Sequence, residues 1–572
     1  VQVFAYLRAY RWRILLVILL TFGNALGELF LPKLMSTVVD QGVANGDTQL
    51  ILRIGGVMLL VVLITVLCRG SAAYHSAKAA MGFSRDVRHQ MYTKVNHMTF
   101  DETEDFGISS LITRTTDDVN QIEQMALMGM RPWVRGLLMF VGGLIMALTT
   151  NLRLSFVIFL SLPLILIGTY IVFRVALPYF PKLQAYLDRI NLLFRQRLTG
   201  LRVIRAFSRN HYEEEIFSQA NEDYYQTALR VNRIMITVMP LLTIILNFSL
   251  VGVAYFGSHL IDQGDLQIGD MMAYLQYITQ VLSALIMISH LLTMLPRTFT
   301  SAQRVNELLT YPTREIGGQV SLKEPIQRIE ARDLTFYYPG ANLPALKAIN
   351  FSVERGQTLG IIGGTGSGKS TLLKLLLQFY DPSSGHLLIN NQEIEDLEAA
   401  SVRDQMSYVP QQNFFFTKSI RDNLSYSNEA VSDDQLLNNL SIAQARDFLP
   451  EESPLDEAMI RGGNNFSGGQ RQRLAIARAL SRQVPVYIFD DSFSALDYQT
   501  DYELRQALQE ALDQAILIIV AQRVATIRHA DKILVLDNGQ VKGFGSHEDL
   551  LINNQIYREI ALSQGEEAVD HA

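Results

Sequence analysis

The sequence predicts an all-α transmembrane domain of six helices with long cytoplasmic helical extensions, followed by an α/β domain built around a phosphate-binding loop. Three observations lead there. Apolar runs long enough to cross a bilayer, which takes about 20 residues each, fill residues 1–310 and then stop. Beyond them, short apolar strands alternate with helical patterns, the mark of an α/β domain. Within that second half, Gly363, Gly364, Thr365, Gly366, Ser367, Gly368, Lys369, Ser370 and Thr371 stand between the apolar run 357–362 and the helical run 372–377. Gly363, four residues, then Gly368, Lys369 and Ser370 is the spacing of a loop whose backbone N–H groups cradle phosphates at a helix start.

The expected boundaries are 1–310 for the transmembrane domain, 311–328 for a linker, 329–565 for a P-loop nucleotide-binding domain and 566–572 for a C-terminal tail. The 572 residues are 49% apolar and 18% charged, with a net charge of −7. Depleted charge suits a membrane protein, and the acidic balance argues against nucleic acid as a partner. The single cysteine, Cys68, leaves no internal disulfide and no cysteine metal cluster within one chain. The first apolar run is too long for a cleavable signal peptide and lacks a small-residue cleavage site, so none is expected.

Six spans are expected near 14–39, 51–67, 134–149, 154–175, 234–260 and 271–295. Pro132, Pro163 and Pro240 fall in or beside them, which membrane helices tolerate. Arg8, Arg11 and Arg13 precede the first span, Lys78, Arg85, Arg88 and Lys94 follow the second, and Arg189, Arg195, Arg197, Arg202, Arg205 and Arg209 follow the fourth. Basic loops face the cytoplasm, so both termini are expected there, in a multi-pass protein of the cytoplasmic membrane. Residues 71–123 and 181–233 stay helical in pattern between spans. Each reads as a hairpin projecting on the order of 35–40 Å, with tips at 100–107 and 208–217 and a surface for the soluble domain.

Polar residues at membrane depth face a cavity or a partner. Asn24, Glu28, Arg131, Asn247 and Gln276 are the candidates. Glu28, with Asn24, Asn247 and Gln276, marks a substrate cavity; an interhelical hydrogen bond is the other reading of Glu28. Several spans carry methionines, which mould to varied apolar ligands or simply pack.

In the second half, Lys369 would reach the β- and γ-phosphates of ATP, and the Ser370 hydroxyl would hold Mg²⁺. Tyr338, about 25 residues before the loop, is placed to stack on adenine; core packing is the other reading of a lone tyrosine. The strand 486–491 ends in Asp490 and Asp491, and Asp490 can hold the Mg²⁺ shell. Gln411 offers a further metal or water contact. Ser467, Gly468, Gly469 and Gln470 open a second helix, another anion-binding start.

Phosphate loop, glutamine loop, Ser467-Gly-Gly-Gln470 signature, acidic strand and Ser494-Ala-Leu-Asp497 loop occur in order. This set resembles the ATP-binding cassette (ABC) transporters over essentially the whole chain, and the membrane half placed first is similar to their exporter branch. The resemblance implies a dimer in which each ATP lies between one chain's phosphate loop and the other's signature, with Asp497 nearby. It also implies that the hairpin tips are coupling helices. Two positions depart from the family's pattern. Asp491 stands where the family has its general base, a Glu, and Gln522 stands where it has a switch His. Aspartate is one methylene, about 1.5 Å, shorter, and such a misplacement can cost about 100-fold in rate. Glutamine cannot carry the charge available to histidine. The chain therefore resembles the degenerate half of a bacterial heterodimeric multidrug exporter. Such a subunit exports amphipathic small molecules or lipid-like compounds with a second, non-identical half-transporter that supplies Glu and His. Alternatives are a homodimeric lipid flippase and a membrane-anchored ATP-dependent regulator. Arg461, in the segment before the signature, has no account at this level.

Overall fold

The computed structural model describes residues 2–314, 316–460 and 462–564, the side chains of 289–293 excepted. Arg461 and the expected tail 566–572 lie outside the described residues. The chain separates into two compact units, Val1–His97 with Phe106–Pro312, and Met98–Asp105 with Thr313–Ala572.

The first unit is helical. Its long helical runs are α1 (Gln2–Val43), α2 (Thr48–Asn96), α4 (Ile108–Thr150), α5 (Ser155–Ala206), α6 (Asn210–Asp262) and α7 (Ile268–Thr310), with the short α3 (Phe100–Phe106) between α2 and α4. All six long runs contain a stretch apolar enough to cross a membrane. Tyr274, Tyr277, Ile278 and Leu282 of α7 pack with Ile158 and Ile165 of α5, and with Leu154 just before it, in a buried core, while Leu59, Phe156 and Phe248 point outward, exposed. A water-soluble bundle would hide those side chains; lipid accepts them, because every backbone polar group is already satisfied within the helix. Pro32 and Pro163 sit inside helices, and Pro132 lies in a π-helical turn, Gly129–Trp133, within α4.

The two hairpins form as helices, with one correction. Helix α2 runs on to Asn96, and α3 caps the first hairpin. At the second, only 207–209 turn, with Ser208 at φ 52°, and α6 begins at Asn210. The expected tip 208–217 is therefore mostly the first two turns of a helix, since Glu213, Glu214 and Glu215 are sound helix formers near a helix start.

The second unit carries the α/β fold. Strands β1 (Arg328–Phe336), β2 (Leu346–Glu354), β4 (Ser384–Ile389) and β5 (Gln392–Glu393) form an antiparallel sheet, order β2-β1-β4-β5. The larger sheet joins β3 (Thr358–Gly363), β6 (Met406–Val409), β7 (Val486–Asp490), β8 (Ile516–Val520), β9 (Lys532–Asp537) and β10 (Gln540–Gly545), in the order β10-β9-β3-β8-β7-β6. Its four pairings from β9 to β6 are parallel, and the β9/β10 edge is antiparallel. Strands β7 and β8 are buried at every residue, which is why they read as unbroken apolar runs rather than alternating ones. The expected linker 311–328 is not a free connector at its far end. Gly317 and Val320 bridge to Glu398 and Leu397, and Ile326 is fully buried.

The first hairpin tip belongs with this unit. The Phe100 ring lies 4.9 Å from that of Phe379, Tyr380 Oη donates to Asp101 Oδ1 at 2.5 Å, and Glu102 Oε1 accepts from the Arg314 N–H at 2.8 Å.

Candidate nucleotide site

Parallel sheets gather function at the carboxyl ends of their strands. Here the order β3-β8-β7-β6 sets four loops side by side: the phosphate loop after β3, Gln522 after β8, Asp491 after β7 and Gln411 after β6. Register makes this exact for two of them. Asp490 pairs with Val520, and the Asp491 N–H donates to Val520 O at 3.0 Å.

The phosphate loop is a backbone construction. A Cβ on Gly363 would stand 2.1 Å from Leu536 O, so only glycine lets β3 lie this close to β9. At Gly364 and Gly366 a Cβ would meet nothing within 4 Å, which leaves the rim of the loop open to a ligand. Helix α8 (Lys369–Leu376) begins directly after Gly368, which has φ 102°. Lys369 Nζ donates to Gly363 O at 2.7 Å and Gly364 O at 2.8 Å. Burial pulls its pKa down, while Asp491 and Asp490 oppose the shift. An ammonium, open N–H groups and a helix N-terminus fit a polyphosphate.

The carboxylate side is built from side chains. Asp490 is buried and accepts from Tyr408 Oη at 3.3 Å. Burial pushes its pKa up, Asp491 adds to the rise, and Tyr408 and Lys369 oppose it. A buried carboxylate held at such a cost suits a divalent cation; Ser370 is the second residue of α8. Asp491 has φ 49°, a left-handed conformation that aspartate tolerates better than most residues. That turn aims its Oδ2 at two amides, accepting from Gln522 Nε2 at 2.9 Å and from Gln411 Nε2 at 3.2 Å. Burial raises the Asp491 pKa, and Gln411, Lys369 and Gln522 pull it back.

The remaining predicted residues fall into two places. Tyr338 Oη shares a hydrogen bond with Thr371 Oγ1 at 3.1 Å, and its half-buried ring packs edge-on against Phe336 and Tyr380. It stands beside the first turn of α8 and packs against the core. Ser467 caps α9 (Gly468–Leu480), accepting from Gln470 N while Gln470 Oε1 accepts from Ser467 N. Gly469 passes within 3.0 Å, by its would-be Cβ, of Ala495 O. Asp497 caps α10 (Tyr498–Ala511) through Thr500 N and Oγ1, and those bonds lower its pKa. Among the described residues, no hydrogen bond joins the signature 467–470 to the phosphate loop. Sequence reasoning missed Tyr408, for a tyrosine in a short strand carries no signal of its own.

In the membrane unit, Asn24 lines a cavity and donates from Nδ2 to Thr65 O at 3.3 Å. Glu28 accepts from Arg135 Nη2 at 2.7 Å in an ion pair. Gln276 lines an open apolar groove with Leu250, Val251 and Thr279, whereas Asn247 is exposed. Arg135 was also missed, although it stands four residues after Arg131 and so on the same helix face.

Known proteins share these features. Residues 14–285 match the family described as ABC transporter transmembrane region, and residues 346–494 the one described as ABC transporter. An uncharacterized ABC transporter ATP-binding protein of Mycobacterium tuberculosis is 36% identical over 98% of this chain and 97% of its own length. The ATP-dependent lipid A-core flippase of Vibrio parahaemolyticus is 25% identical over 98% of this chain and 96% of its own length. A bacterial Atm1-family ABC exporter solved with ATP bound aligns with a TM-score of 0.79, covering 99% of this chain and 100% of that one at 22% identity, a likeness of fold.

Proposed function

Because the chain belongs to the ABC transporter family, whose exporters act as dimers and couple ATP hydrolysis to transport, we propose that it is the binding-dominated half of a heterodimeric exporter in the cytoplasmic membrane. Its cargo is amphipathic, a drug-like or lipid-like compound. Its partner is a second half-transporter carrying Glu and His at the positions of Asp491 and Gln522. One observation carries this reading: the carboxylate in the general-base position is the short one, and two neutral amides hold it.

Each residue then has a role. Gly363 to Thr371, Lys369 among them, would bind the phosphates, Tyr338 would offer its ring to adenine, and Ser370, Gln411 and Asp490 would hold Mg²⁺, whose charge would offset that of the phosphates. Asp491 would accept the proton of an attacking water. It stands about 1.5 Å farther back than a glutamate would, and its Oδ2 is already occupied by Gln411 and Gln522. Gln522 donates a hydrogen bond but cannot add positive charge as an imidazolium does. ATP binding survives these differences, and hydrolysis slows. The intact Ser467-Gly468-Gly469-Gln470 segment, capped and exposed, is then available to the partner's ATP. Closure of the nucleotide domains on two ATP molecules would favour the outward-facing state of the membrane helices.

The test is ATP turnover by the purified chain alone, unmutated and as Asp491→Glu with Gln522→His. The proposal expects slow turnover that the double variant raises by up to about 100-fold. Brisk turnover by the unmutated chain on its own would sink it. That outcome would favour a homodimeric flippase, the reading to which the similarity to lipid A-core flippases of two organisms lends support.

A further inference from the structure

Strand β8 ends at Val520, and the chain turns through 521–523 into a four-residue helix, α11 (Val524–Ile527). The Ala521 N–H donates to Ile361 O of β3 at 3.1 Å, and Gln522, the next residue, sends its side chain to Asp491. A helix start leaves N–H groups with no partner inside the helix, and a short polar side chain just before it commonly accepts from one of them. Arg523 holds that place here and makes no such bond, because a guanidinium has no acceptor to offer. Val524 is fully buried, so its N–H is not left to solvent. The acceptor comes from a residue 42 positions after Gln522. Gln564 Oε1 accepts from the Val524 N–H at 2.7 Å, and Gln564 Nε2 donates to Gln522 O at 2.8 Å. One amide therefore brackets Arg523, taking the carbonyl before it and the N–H after it. Gln564 follows α12 (Gln555–Ser563), a helix fixed in place. Asn554 caps it, accepting from the Tyr557 N–H at 2.8 Å, and Tyr557 and Ala561 are sunk in the core that also holds Phe489 of β7 and Ile519 of β8.

We propose that Gln564 is a positioning residue of the nucleotide site, fixing the backbone of 522–524 and with it the reach of the Gln522 amide. This role deepens the proposed reading of Gln522 as a hydrogen-bond donor to the γ-phosphate of bound ATP, and it rests on that reading. It holds whether the partner chain is identical or not. The Gln522 side chain is exposed on a loop, and a side chain on a loop keeps its place only as well as its backbone is held. Three ties hold this backbone. Ala521 is joined to β3, Gln564 grips both sides of Arg523, and Arg505 of α10 donates from Nη1 to Ala525 O at 2.8 Å. Of these, only Gln564 holds the carbonyl of Gln522 itself. The other two grip its neighbours and leave its peptide plane free to turn. Losing the bracket therefore loosens Gln522 while β8 and α11 stay in place. The anchor is well chosen for this purpose, since α12 is bound to the core that carries β7 and β8, the strands from which Asp491 and Gln522 project. Both ends of the Gln522–Asp491 bond thus refer to one rigid frame.

The test is photolabelling of this chain by an azido-ATP, in the full-length protein and its native assembly with Mg²⁺, displaced by a non-hydrolysable ATP analogue or by ADP. The chain is compared unmutated, as Gln564→Ala, as Gln522→Ala and with both changes. Gln564→Ala should lower the preference for the triphosphate over ADP roughly three- to tenfold, the scale of one neutral hydrogen bond, and leave ADP affinity where it was. Gln522→Ala should do the same, and Gln564→Ala should add nothing to it, because a residue acting through Gln522 then has nothing left to position. Gln564→Glu still accepts from Val524 but cannot donate to Gln522 O, and should fall between. It carries the same comparison should the alanine variant fail to fold. An equal loss of both nucleotides on Gln564→Ala marks a structural residue and overturns the proposal, as do an unchanged preference and effects of the two alanines that simply add. If Gln522→Ala also leaves the preference unchanged, the γ-phosphate reading of Gln522 has failed first; if only Gln564→Ala does, the positioning role fails alone. Turnover is not measured, so the outcome stands apart from the heterodimer reading.

Discussion

The two sides of the nucleotide site are made of different materials. The phosphate loop is backbone: Gly363 fits because Leu536 O leaves no room for a Cβ, and Gly364 and Gly366 keep its rim open. The acidic side is side chains: Asp490, Asp491, Gln411 and Gln522 hang from neighbouring strand ends, Gln411 and Gln522 donating to Asp491 and Tyr408 to Asp490. A backbone cradle is tied to the fold and cannot drift without unmaking β3. A side-chain constellation can lose a methylene or a charge and leave every strand where it was. On the proposed reading, Asp491 and Gln522 both fall on the second side, so binding and cleavage of nucleotide would separate within one site.

That contrast can be broken by experiment. Lys369→Ala removes the one side chain on which the loop relies, and ATP affinity should fall roughly 10- to 100-fold, the loss of a charge-assisted hydrogen bond, as read by titration with a fluorescent ATP analogue. If affinity holds, the loop is not the anchor of binding. Gly363→Ala forces a methyl into a backbone oxygen of β9 and should destabilise the nucleotide unit by about 1–3 kcal/mol, seen as a lower melting temperature. An unchanged melt would mean the cradle yields as freely as the side chains.

The smallest effect concerns Asp491. Burial is the largest influence on its carboxyl, and the folded pKa lies above the ordinary carboxylate value. The stability gained from the protonated form is full below that ordinary value and is lost as pH rises through the folded pKa. At neutral pH the chain therefore carries an ionised group at a cost. Asp491→Asn should melt about 2 °C higher at pH 7, with the difference shrinking toward pH 4. A gain that is constant with pH would place its origin outside the charge.

Much of this was legible beforehand for definite reasons. Spans, loop and strands announce themselves because a bilayer demands length, a phosphate demands glycines at set spacing and a buried parallel sheet demands apolar runs. The second hairpin tip was read too long because its glutamates look as much like a loop as like a helix start. Tyr408 and Arg135 were silent because each matters only through a partner from a distant part of the chain, Asp490 and Glu28.

The amino-acid order alone therefore determined the family resemblance, the two-part architecture, and the places of Asp491 and Gln522 at the ends of their strands, since each is a local pattern read along the chain. Tertiary structure decided what those residues meet. The strand order β3-β8-β7-β6 brings Gln411 and Gln522 onto one oxygen of Asp491, and helix packing gathers Arg69, Arg131 and Arg135 around one cavity. Contacts between residues far apart in sequence arise from register and packing, which no spacing along the chain encodes.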